Sequence, residues 1–289
     1  MFRRFSLSLL LLAACEPKDL GGGGGIGGRI AFSRGGDVWV INDDGASGET
    51  RITTTSNTQQ PALSPNGQTV AYAQTSGNGS DIWATSVSGG TPRQLSAAQT
   101  NGDRAEAPAW SRDGSQLVFH VTSGGNAQLF IVNADGSGSP RLITTPTSAS
   151  FPSFSADGAR LLAVFTSGLG TVPADGSGQL TPITPSGLGQ VLSRAVFSPN
   201  GARIAFSLPS SGGGHPRPFV MNADGSSPHQ LRGTPDGDDT WPSWSFDGSF
   251  VAFQSNSGGT DNIYAASVDK DEDPKLLIGD GKTPSWSAR

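Results

Sequence analysis

Apolar residues in this chain come in short runs, rich in β-branched and aromatic side chains and separated by Gly, Pro, Ser, Asn and Asp, a pattern that predicts many short strands. The runs recur. Aligned on a Pro-x-aromatic/aliphatic-Ser core they are Pro61-Ala-Leu-Ser64, Pro108-Ala-Trp-Ser111, Pro152-Ser-Phe-Ser155, Ala195-Val-Phe-Ser198, Pro242-Ser-Trp-Ser245 and Pro284-Ser-Trp-Ser287, with serine spacings of 47, 44, 43, 47 and 42. A turn follows each of the first five serines: Pro65-Asn66-Gly67, Arg112-Asp113-Gly114, Ala156-Asp157-Gly158, Pro199-Asn200-Gly201 and Phe246-Asp247-Gly248. Asp or Asn before Gly supplies the left-handed residue a tight hairpin needs. A second strand comes next (Val70-Ala-Tyr72, Leu117-Val-Phe119, Ile204-Ala-Phe206, Val251-Ala-Phe253), then a third such as Asp81-Ile-Trp83 or Asn262-Ile-Tyr264. A further Asp-Gly turn, as in Asn133-Ala-Asp135-Gly136, leads to a fourth strand ending near Leu95, Leu142, Leu231 and Leu276.

A period of this length with four short strands per unit is that of a β-propeller. The ends complement each other. The N-terminal side supplies Arg29-Ile-Ala-Phe-Ser33, Asp37-Val-Trp-Val-Ile41 and Arg51-Ile-Thr53 without a first strand, and the C-terminus supplies a lone first strand, Thr283-Pro-Ser-Trp-Ser287. The expected fold is all-β: residues 29–289 as a six-bladed β-propeller of four-stranded antiparallel blades, the first closed by both termini so that no sheet edge is left open. The Pro-x-Trp-Ser-x-Asp-Gly, Ile-Ala-Phe and Asp-Ile-Trp/Tyr elements resemble the TolB-type propeller family over about residues 29–287. The resemblance implies the propeller fold. TolB itself carries an α/β domain ahead of its propeller and is soluble in the periplasm, and this sequence reads differently on both points.

Composition agrees with strands and turns. Gly 41 and Pro 20 disfavour helical bundles, and a net charge of −5 with no basic run argues against nucleic-acid binding, which needs a Lys/Arg surplus. At the N-terminus, Arg3 and Arg4 precede the apolar run Phe5–Leu12, too short to span a bilayer. Residues 1–14 read as a signal peptide, and Leu12-Ala13-Ala14-Cys15 resembles the bacterial lipobox, which makes Cys15 the lipidation site. Cys15 is the sole cysteine, so disulfides are excluded. Glu16, where Asp retains lipoproteins at the inner membrane, favours the outer membrane facing the periplasm, and residues 15–28 with their glycine run read as a tether.

The usual chemical motifs fail. Gly22-x-Gly24-x-x-Gly27 has no flanking strand and helix, Gly281-Lys282-Thr283 lacks the rest of a phosphate loop, and no Gly-x-Ser-x-Gly elbow occurs. The Asn-Ala-Asp-Gly turns offer too few oxygens for calcium. The histidines, at 120, 215 and 229, fall in different units, and a metal site from His120, His215 and Asp239 is the weaker reading of them. No catalytic residue and no cofactor is predicted. Loops joining the second to third and the fourth to next first strands vary in length, and their face carries the candidate binding residues Gln60, Glu106, Phe151, Arg194, Asp239, Trp241 and Lys282. The sequence thus points to a monomeric, non-catalytic envelope lipoprotein that binds a protein or a glycan such as peptidoglycan through that face. The alternative is a periplasmic propeller enzyme, a polysaccharide lyase or hydrolase-like protein, with a metal or glycan site at the central channel.

Overall fold

The short apolar runs pair as antiparallel meanders, because each Asp-Gly or Asn-Gly turn reverses the chain tightly enough to set one strand beside the next. The computed structural model describes residues 28–43, 48–97, 102–143, 145, 147–183, 193–210 and 214–288. The expected signal peptide, Cys15 and all but the last residue of the tether lie outside them. The first and last described strands share a sheet, in which Lys282–Ala288 pairs with Gly28–Arg34, followed by Asp37–Asn42 and Thr50–Arg51. Three more four-stranded sheets begin with Ala149–Phe154, Val196–Phe197 and Thr240–Trp244 and end with Thr181–Pro182, His229–Gln230 and Lys275–Ile278.

The expected count of six separate blades is corrected by the strand pairing: four sheets are separate four-stranded blades, and the two repeats beginning with Thr58–Leu63 and Arg104–Trp110 are joined in one eight-stranded sheet. The join is a parallel bridge between Ser80 and Arg104. There the Ser80 N–H donates to the Asp103 carbonyl at 3.1 Å and the Ser80 hydroxyl to the Ala105 carbonyl at 3.0 Å. Gly79 permits the approach, since a Cβ at that position would stand 2.5 Å from the Asp103 oxygen.

Packing explains the repeated motifs. The aromatic that closes each Ile-Ala-Phe-like strand lies across from one on the third strand: Phe119 on Phe130, Phe206 on Phe219 and Phe253 on Tyr264, with ring centroids 5.9, 5.9 and 6.1 Å apart. Phe32, Tyr72, Phe119, Phe206 and Phe253 are all buried, and such cross-strand pairs add to the stability that burial brings. The turn motif is equally regular. In each, the serine hydroxyl donates to the Asp or Asn two residues on (Ser111 to Asp113, 2.6 Å; Ser198 to Asn200, 2.8 Å) and accepts the amide five residues on (Gln116, 2.9 Å; Arg203, 2.9 Å), while Gly114 and Gly201 take φ of 73° and 72°. These carboxylates are turn-formers. For Asp113 the Ser111 hydroxyl, followed by the Ser115 amide, holds the carboxyl below its ordinary range.

The first strand of each repeat lines a central channel, and among the described residues only Arg104–Trp110, through its bridge to Ser80, pairs with a strand beyond its own repeat's second strand. Proline near the middle of that strand removes a donor that would otherwise stand unpaired. A β-bulge accompanies it, with the preceding residue in the left-handed region: Gln60 at 53°, Ala107 at 52°, Phe151 at 53°, Trp241 at 57° and Thr283 at 49°. Where Ala195 replaces the proline, Arg194 is not left-handed.

Candidate functional site

A non-glycine residue in the left-handed region costs on the order of 1–3 kcal/mol, so the surroundings must hold it there. For four of the five, the preceding repeat supplies an acceptor for the amide. The Ala107 N–H donates to Gln60 Oε1 at 2.7 Å, Phe151 to His120 Nδ1 at 3.4 Å, Trp241 to Ser193 Oγ at 3.4 Å and Thr283 to Gln254 Oε1 at 3.1 Å. The bulges stand in a ring at one end of the channel, and these four bonds tie successive repeats along it.

That ring brings together four side chains. Phe151 meets His120 edge-on at 5.3 Å and Trp241 at 5.6 Å with the rings perpendicular. His120 Nε2 lies 3.9 Å from Glu106 Oε2. Burial pushes the His120 imidazole down to about 4, so it is neutral near pH 7, and Nδ1 acts as acceptor for the Phe151 amide. Burial also raises the Glu106 carboxyl, against the pull of Arg104. Trp241, one of the expected binding residues, is half-buried against Phe151. Gln60 is half-buried too, its carbonyl spent on Ala107.

The remaining expected residues lie apart from that cluster. Lys282 Nζ pairs with Asp261 Oδ2 at 2.8 Å on the surface. Asp239 is fully enclosed at 0% exposure; burial raises its carboxyl, opposed by hydrogen bonds and by Arg217, whose Nη1 is 3.1 Å away. Arg217 also reaches the exposed Asp236 at 2.9 Å, so Asp239 braces its loop from beneath. His215 Nδ1 contacts Asp238 Oδ1 at 2.8 Å. The structure therefore does not gather His120, His215 and Asp239, each of which has other partners.

Arg194 alone among the expected binding residues lines the central cavity, which has a volume of about 430 Å³. Its walls come from every inner strand, with Ala62, Ala109, Ser153, Val196, Ser243 and Ser285 as representatives. Pro65, Arg112, Ala156, Pro199 and Phe246 also line it, and each begins an Asp-Gly or Asn-Gly turn. The cavity thus extends to the repetitive turn face, not the variable one. Phe246 is 54% exposed there, and Arg112 reaches across to donate from Nη1 to the Pro199 carbonyl. Sequence reasoning missed Arg112 and Phe246 because they sit inside a conformationally uniform turn; the available signal was that this single turn position varies among Pro, Arg, Ala and Phe.

A family model described as TolB beta propeller domain matches residues 33–179, about half of the chain. The chain belongs to that family. This TolB-type propeller is similar to TolB from Acinetobacter baumannii in crystal structure, with a TM-score of 0.78 and 19% identity over 92% of this chain and 68% of that one. A chain in a Nidogen/Laminin complex matches with a TM-score of 0.68 and 12% identity, over 90% of this chain and 98% of its own. One from Kuenenia stuttgartiensis hydrazine synthase matches with 0.69 and 15%, over 91% and 47%. At such identities the likeness is one of fold, and the fold serves a protein complex and an enzyme alike, so function has to be argued from the site.

Proposed function

We propose that this TolB-type propeller is a non-catalytic binding protein of the bacterial cell envelope, attached to the outer membrane through a lipid on Cys15, that grips an envelope protein with its variable face. The observation that carries the reading is the bulge ring. It holds Phe151 and Trp241 against each other in a fixed geometry, with Glu106 close by, and an aromatic pair that is already ordered loses little freedom when a partner covers it. The chemistry at this end of the channel favours binding over turnover. His120 is neutral and its Nδ1 is engaged by a backbone amide, which suits a group holding Phe151 in place better than one exchanging protons. The Nidogen/Laminin neighbour offers a precedent for a chain of this fold within a protein complex.

The test is capture of partners from an envelope extract by the purified full chain. Trp241→Ala is expected to weaken capture by about 30-fold, the size of a typical hot-spot loss, and Lys282→Glu by less, while Asn66→Ala on the opposite face leaves it intact. Capture that survives Trp241→Ala and is lost on changing the turn face would reverse the assignment. Cys15→Ser is expected to abolish acyl labelling and release the protein into the soluble fraction.

A further inference from the structure

The central cavity holds an imbalance of charge. Among the described residues Arg112 and Arg194 are its only charged lining, in a chain whose net charge is −5. Neither takes part in an ion pair among the described residues, and Arg194 makes no hydrogen bond to any of them. Protein surrounds Arg194 closely enough to push its guanidinium down to about 10. A half-buried cation without a counter-charge is costly, so its retention calls for an anion that arrives from outside.

Two hydroxyls are placed to help. Ser243 Oγ accepts the Trp286 amide at 2.9 Å and Ser285 Oγ accepts the Leu63 amide at 3.0 Å, so the hydrogen on each oxygen is free to donate. Both side chains are more than nine-tenths buried. Ser153 is different, because its hydroxyl already donates to the Ala195 carbonyl at 3.1 Å. The rest of the lining is largely apolar, including Leu63, Phe154, Val196 and Trp244. A volume of about 430 Å³ falls within the usual range for small-molecule sites.

We infer that the cavity binds a small organic anion, a carboxylate on an apolar body, with Arg194 taking the carboxylate, Ser243 and Ser285 donating to it, and Arg112 and Phe246 forming the gate on the turn face. The planar guanidinium can hold both carboxylate oxygens at once, and the apolar walls cover the body. Of the variable-face residues this site uses Arg194 alone, and Glu106, Phe151 and Trp241, which carry the protein-binding assignment, are not in its lining, so either assignment can fail alone.

The experiment titrates the full chain with phenylacetate, hexanoate, acetate, inorganic phosphate and the neutral phenylacetamide at up to millimolar concentration, read by calorimetry and by the fluorescence of Trp244 and Trp286 in the cavity wall. Phenylacetate or hexanoate is expected to bind, acetate and phosphate more weakly, and phenylacetamide at least about tenfold more weakly. Arg194→Met is expected to abolish anion binding while raising the melting temperature of the ligand-free protein, since it removes an unpaired, half-buried charge. Ser285→Ala keeps Arg194 and is expected to lower affinity several-fold. Binding of phenylacetamide as tight as that of phenylacetate, affinity unchanged in Arg194→Met, or no binding by any carboxylate of the series would each overturn the site. Phosphate binding as tight as phenylacetate would overturn the apolar-body part of the assignment.

Discussion

His120 links one side chain to the geometry of the channel. Its imidazole receives the Phe151 amide and packs edge-on against the Phe151 ring, so protonation would remove the acceptor and place a charge in a buried position. The folded value near 4 lies below the ordinary 6.5. Between those values the unfolded chain binds a proton that the folded chain does not, so the stability held above pH 6.5 is lost progressively as pH falls toward about 4. The loss is on the order of 3 kcal/mol at the acid end of that window. Glu106 works in the opposite sense in the carboxylate range, because burial raises its carboxyl. A His120→Gln variant is therefore expected to show a flatter dependence of melting temperature on pH below 6.5 than the wild type. Parallel profiles for the two proteins would rule out His120 as the source.

At the scale of elements, one glycine decides how two repeats are connected. The bridge between Ser80 and Arg104 needs backbone to approach backbone, and Gly79 provides the space. Gly79→Ala drives a methyl group against the Asp103 carbonyl, where no side-chain rotation relieves it. The expected cost is about 1–3 kcal/mol, as for other overpacked positions, together with faster hydrogen exchange at the Ser80 amide. Unchanged exchange at that amide would mean that the bridge contributes nothing. The same rule shows why this join was not legible from the repeats. The strand pattern of each unit is local, whereas the parallel bridge depends on where two loops meet, and Gly79-Ser80 carries no motif that distinguishes it from an ordinary turn.

For the molecule as a whole, closure rests on the last strand. Trp286 is buried, its indole N–H donates to Asp43 Oδ2 at 3.2 Å, and its backbone N–H donates to Ser243. Ser285 accepts the Leu63 amide from the next inner strand, so Lys282–Ala288 joins sheets on both sides as well as completing its own. Trp286→Ala is expected to cost about 3–5 kcal/mol. Deletion of Lys282 to Arg289 is expected to lower the melting temperature further by exposing an unpaired edge and the aromatic face behind it; an unchanged melting temperature would exclude closure by the termini.

The sequence by itself determined the strands, their turns and the pairing of the two ends, because these depend on period-2 patterning, on Ser-x-Asp/Asn-Gly turn chemistry and on which strand each terminus lacks. It also located the positions ahead of each inner proline, where Gln60, Phe151 and Trp241 stand in the left-handed region. Only the tertiary structure decided what those positions face. It buried Asp239 under its loop, set Phe151 against Trp241 and left Arg194 in the channel wall without a counter-charge among the described residues. It also merged two repeats into one sheet and extended the cavity to the turn face. Contacts between repeats are set by the ring's curvature and by groups 29 to 48 residues apart, and a pattern confined to one repeat carries no information about either.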